Sequence, residues 1–183
     1  MLEAAGVPFA NIQADLDEDD VKASLRAGGV TAPALALALA RAKALAATAE
    51  PVDLVLGSDQ SLELADGAML DKPASRDELR DQLQKMSGAA HKLHSAAVIV
   101  EAGIPVWSAV ETVEMHVRSL GPEFLSDYVD REYDAVRWSV GGYHVEGRGA
   151  QLFERIEGSH FAVLGLPLLP LLAFLRERGM LPR

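Results

Sequence analysis

The stretch Val52 to Pro73, VDLVLGSDQSLELADGAMLDKP, constrains this chain more than any other. An apolar run, Val52 to Leu56, leads into Gly57-Ser58-Asp59-Gln60. A second run crosses Leu62 and Leu64, Asp66-Gly67 supplies a turn, and Lys72-Pro73 closes the unit. Apolar runs of this length bounded by turn residues read as a buried strand feeding a hairpin. On that reading Asp59 stands where the buried strand runs out, which is where open α/β sheets present ligand-binding groups. Aspartate is also a common turn residue, so local sequence leaves a capping role for Asp59 open.

The remaining chain must supply a core for that strand. Its 183 residues suffice to bury one without staples, and one domain over 1–183, with two lobes admissible, is expected. Hydrophobic residues at 49% and charged ones at 24% fit an ordinary globular chain and are too apolar for a disordered one. The absence of cysteine excludes disulfides, thiolate zinc sites and cysteine nucleophiles. A formal charge of −10 argues against a nucleic-acid polymer as partner, because counterion displacement from its backbone needs a basic surface. A single nucleotide asks only for a few placed cations, or a divalent metal held by carboxylates. No basic segment followed by an apolar core opens the chain, so no signal peptide is expected. The apolar run Phe161 to Leu175 is broken by Gly165, Pro167 and Pro170 and is too short to span a bilayer. Neither a membrane partner nor a location outside the cytoplasm is expected.

In chain order, Met1 to Gly6 reads as the end of a helix capped by Gly6, and Phe9 to Ala14 as a short strand. The acidic run Asp15 to Asp20 reads as a solvated loop and helix N-terminus. Its resemblance to a calcium loop fails, because Asp20 stands at the glycine position and Arg26 at that of the closing glutamate. Ala34 to Ala49 is a strong helix of Ala and Leu with Arg41 and Lys43 as its only charges. Those cations are either snorkelling stems or directed at a buried anion, and periodicity does not decide. Ser75 with Glu78 forms a capping box for a helix to Met86. His91 to Glu101 and Pro105 to Arg118 form a hairpin about Ala102-Gly103. His91 and His94, three apart on a strand, point to opposite faces and cannot share a metal. A helix from Gly121-Pro122 to about Val129, a glycine-rich segment Gly141 to Ala150, a strand Gln151 to Glu157 and a helix after Pro167 complete the chain. The glycine-rich segment fits a phosphate loop or ordinary turn chemistry. Without regular βαβ alternation the fold class is α/β of α+β-like type, with a twisted mixed sheet and flanking helices.

Leu16-Asp17-Glu18, the helix from Leu37-Ala38 to Ala44, Val55-Leu56-Gly57-Ser58-Asp59-Gln60, Asp71-Lys72-Pro73, Ser87-Gly88 with His91, Gly142-Tyr143 to Gly147, and Gly165-Leu166-Pro167-Leu168 occur in this order. As a set they resemble the Maf (septum-formation) family of nucleoside triphosphate pyrophosphatases. The resemblance implies two lobes around a cleft, a homodimer, and Mg²⁺-dependent (or Mn²⁺-dependent) hydrolysis of a nucleoside triphosphate to monophosphate and pyrophosphate. It implies Asp59 as base or water-positioning carboxylate, Glu18 and Asp59 as metal ligands, and Lys72 as the cation neutralising phosphate charge. Arg41, Ser58, Gln60 and Glu146 would contact substrate, with Arg41 standing where the family usually has a lysine. The Gly-Ser-Asp-Gln form and Glu146-Gly147 look closer to the branch acting on 7-methyl-GTP than to that acting on dTTP and UTP. Trp138-Ser139-Val140 replaces a segment that is usually Asp-Lys-Ala in the latter branch. The family's opening strand and its Ser-x-Ser-x-x-Arg loop are expected just before Met1. The alternatives are a dTTP/UTP pyrophosphatase and a nucleotide-binding cell-division regulator without turnover.

Overall fold

A computed structural model describes residues 1–47, 50 and 53–182. Helices α1 (Glu18–Ala27) and α2 (Ala32–Ala46) precede strands β1 (Leu54–Leu64) and β2 (Met69–Leu70), and α3 (Arg76–Met86) precedes the long pair β3 (Ala90–Glu101) and β4 (Ile104–Val117). There follow α4 (Pro122–Val136), β5 (Phe153–Glu157), α5 (His160–Val163) and α6 (Leu168–Glu177). The strands form one sheet in the order β2-β1-β3-β4-β5. The α/β class stands, but the sheet is antiparallel rather than mixed. Short connections explain this: Leu62 pairs Leu70 across the Asp66-Gly67 turn, and only Ala102 and Gly103, both at positive φ, separate β3 from β4. Among the described residues no helix is long and apolar enough to cross a membrane.

The chain divides into two compact units, with β1, β3 and β4 each contributing residues to both. In the first unit (1–60, 95–111 and 159–183) the strands are covered on both faces. Ala36, Ala40 and Ala44 of α2 pack on Val55, Ala96, Val98 and Val100. Leu168, Leu171, Phe174 and Leu175 of α6 pack on Leu54, Leu56, Ala97 and Ile99, with Trp107 stacked 5.4 Å from Phe174. Alternation along each strand assigns odd and even positions to the two covers. The second unit (61–94 and 112–158) buries Leu79, Leu83 and Met86 of α3 together with Leu125, Tyr128, Val129, Tyr133 and Val136 of α4. That stripe carries α4 seven residues past Val129, because Tyr133 and Val136 continue its apolar face.

Four expectations change locally. Gly57 to Gln60 is not a strand end but the middle of β1. Phe9 to Ala14 forms no strand; Ala14 alone makes a bridge, to Ala47, while Phe9 and Ile12 remain about half exposed and bury no face. The strand expected from Gln151 begins at Phe153, after a 3-10 turn Arg148–Leu152, and the opening helix is a 3-10 turn Glu3–Ala5 capped by Gly6. Ala49 and Val52, expected ends of a helix and a strand, lie outside the described residues.

Candidate active site

Gly57 sets the site. A Cβ there would stand 2.1 Å from the Ala40 carbonyl oxygen and 2.7 Å from the Ala44 amide nitrogen, so only glycine lets the backbone of α2 lie this close to β1. Gly57 and Asp59, two apart on the strand, share that face. Lys43, beside Ala44 and one turn on from Ala40, therefore reaches down onto Asp59. Its ammonium donates to Asp59 Oδ2 and lies 2.8 Å from Glu18 Oε2. Glu18 comes from the first turn of α1, whose N-cap Asp17 accepts from the Asp20 amide. The Gln60 amide donates to the other Asp59 oxygen at 2.7 Å.

Asp59 is 9% exposed, whereas Lys43 and Glu18 remain about 30% exposed. Burial raises the Asp59 pKa, the Lys43 hydrogen bond and charge oppose that rise, and the Glu18 charge adds to it. Burial alone would lower Lys43, but the bonds to Asp59 and Glu18 and their charges outweigh it, so its ammonium is held more firmly than usual. A buried carboxylate with a raised pKa, held between a fixed cation and a backbone donor, can orient a water and take its proton. Glu18, Lys43 and Ser58 also line a cavity of about 670 Å³, within the size range of small-molecule sites.

Of the residues expected at the site, the structure brings Glu18 and Asp59 together. Ser58 lines the same cavity and donates to the Gly165 carbonyl. Gln60 is committed elsewhere: its side-chain amide donates to Ser95 Oγ and to the Ala162 and Val163 carbonyls, on the opposite face of β1 from Asp59. Arg41 is exposed and lines a separate apolar groove with Leu37, Val106 and Trp107. The cation on Asp59 is Lys43, because two residues along a helix turn the side chain through about 200°. Lys72 and Glu146 belong to the second unit and are exposed there.

The glycine-rich segment follows turn and packing chemistry. Gly141 and Gly142 have φ of 81° and 66°, and a Cβ on Gly142 would meet Leu79 at 2.1 Å. The histidines have separate partners, as their opposite faces require. His91 is bonded to the Tyr143 hydroxyl at 2.6 Å, and His94 to Thr112 and Glu63. Among the described residues no cluster of three or more His, Asp or Glu is arranged to hold a metal by itself.

A family profile described as Maf-like protein matches residues 1–178. A nucleoside triphosphate pyrophosphatase of Sphingopyxis alaskensis is 45% identical over 184 residues, covering 100% of this chain and 93% of that protein. One of Caulobacter vibrioides is 44% identical over 181 residues, covering 99% and 90%, and one of Ruegeria pomeroyi is 45% identical over 185 residues, covering 99% and 91%. A match running from end to end of the chain, and over nine-tenths of each relative, cannot come from one shared motif: the chain belongs to the Maf family.

Proposed function

We propose that this protein is a nucleoside triphosphate pyrophosphatase, releasing a nucleoside monophosphate and pyrophosphate. The observation that carries the reading is the buried Asp59 carboxylate, fixed by the Gln60 amide and by Lys43, which with Glu18 and Ser58 lines a ligand-sized cavity; the names of its relatives support it. In the proposed step, Asp59 accepts a proton from water as the water oxygen bonds to the α-phosphorus. The bond from that phosphorus to its bridging oxygen breaks, and the electron pair leaves with pyrophosphate. Lys72 is proposed to neutralise phosphate charge, and Glu146 to accept from a guanine edge or complement a methylated, cationic ring.

Magnesium fits the residues present. Two hard carboxylates, Glu18 and Asp59, converge on one cation, the Lys43 ammonium, which marks a position of strong negative potential. Glu18 and Asp59 would hold the ion, which would supply Lewis-acid neutralisation of the phosphate oxygens. A homodimer belongs to the same reading. β4 leaves Ile104, Val106 and Val110 exposed along an edge that β5 pairs only from Glu114 onward, and a second copy is the proposed cover.

The test is pyrophosphate release, with Mg²⁺, from 7-methyl-GTP, GTP, dTTP, UTP and CTP. Turnover with a preference for 7-methyl-GTP that Glu146→Gln weakens is expected. Preference for dTTP or UTP would overturn the base assignment, and nucleotide binding without any pyrophosphate would overturn the enzyme in favour of a binding protein.

A further inference from the structure

We propose that Lys43 is the resting occupant of the cation position between Glu18 and Asp59, so that a divalent ion enters only together with the triphosphate, whose oxygens then take up the lysine's charge. This rests on the pyrophosphatase reading and adds an order of binding to it.

The geometry is specific to this side chain. The same ammonium is shared by both carboxylates, donating to Oδ2 of Asp59 and lying 2.8 Å from Oε2 of Glu18, so an ion bridging them must displace that ammonium or share its space. Two anions and one cation leave the resting site with one net negative charge, against two for the carboxylates alone. Metal affinity rises steeply with the ligand charge available. Lys43 cannot drift far, since its helix is pinned on β1 through Ala40 and Ala44 against Gly57. It can still turn: Lys43 and Glu18 are both about 30% exposed and line the cavity, so phosphate oxygens arriving there meet the ammonium directly. The lysine thereby prevents the site from filling with free metal and is itself returned to a phosphate when substrate arrives, a role for which a flexible four-carbon stem suits lysine better than arginine.

The test is Mn²⁺ binding to the full chain, followed by electron paramagnetic resonance without nucleotide. Wild type should bind weakly, Lys43→Met at least about tenfold more tightly from removal of an adjacent positive charge, and Lys43→Met with Asp59→Asn should lose that gain. Equal affinity of wild type and Lys43→Met would overturn the inference. Should Lys43→Met fail to fold by circular dichroism, wild type alone decides. A non-hydrolysable α,β-methylene triphosphate should tighten Mn²⁺ binding by about tenfold or more, and Mn²⁺ binding as tight without nucleotide as with it would overturn the inference. Pyrophosphate release by wild type separates the two levels. An active wild type whose Mn²⁺ affinity ignores Lys43 sinks only this inference, while a wild type without turnover sinks the reading beneath it.

Discussion

Gly57→Ala is the perturbation that joins the fold to the site. The added Cβ would lie 2.1 Å from the Ala40 oxygen, 2.7 Å from the Ala44 nitrogen and 2.9 Å from the Ala44 Cβ, where separations under 3.0 Å are essentially never seen. Two of the three are backbone atoms, so no rotamer change relieves the clash. Helix α2 must withdraw from β1 by about 1 Å or the strand must buckle, and overpacking of this kind costs about 1–3 kcal/mol. With an m-value of about 2 kcal/mol per molar urea, the unfolding midpoint should fall by about 1 M. The same withdrawal carries Lys43 away from Asp59, so activity should drop further than the folded fraction does. Urea unfolding by circular dichroism, paired with pyrophosphate release well below the midpoint, measures both. A variant as stable and as active as wild type would refute the reasoning that close approach of α2 at Gly57 positions Lys43.

Two further outcomes are expected. His91 is buried and held down to about 4, first by burial and then by the His116 charge. The folded protein therefore keeps it neutral while the unfolded chain takes up a proton below about pH 6.5, so its contribution is present above 6.5 and is lost as pH falls towards 4. At about 1.4 kcal/mol per tenfold in proton affinity the loss is about 3 kcal/mol, and His91→Gln should flatten that part of a stability–pH curve; an unchanged slope would contradict it. Gln60→Ala removes the donor to Ser95, Ala162 and Val163 and should lower stability by about 1–2 kcal/mol with KM unchanged. A steep rise in KM with stability intact would return Gln60 to substrate contact.

Much of this was legible where local chemistry determines structure. The capping box is present, with Ser75 Oγ accepting from the Glu78 amide, and Ala102-Gly103 makes the expected turn. Asp17 and Glu18 were readable as a helix start, and Asp59 as the carboxylate to watch. What misled was Gly57. Glycine beside Ser, Asp and Gln reads as a turn, but here it is a mid-strand gap for a helix backbone, a property visible only once α2 lies on β1. The choice between Arg41 and Lys43 was hidden for a related reason: a helix of Ala and Leu has no polar face to give its phase. The available signal was the stripe Ala36, Ala40, Ala44, which marks the closely packed face and places Lys43 beside it.

The most direct measurement compares pyrophosphate release from a nucleoside triphosphate, with Mg²⁺, by wild type and by Asp59→Asn. Wild type should yield monophosphate and pyrophosphate in equal amounts, and Asp59→Asn should be slower by about 10²–10⁴-fold, the range of a lost general base, while unfolding at a similar temperature. Asp59→Asn turning over at the wild-type rate, or orthophosphate appearing in place of pyrophosphate, would contradict the assignment of Asp59 and of the reaction.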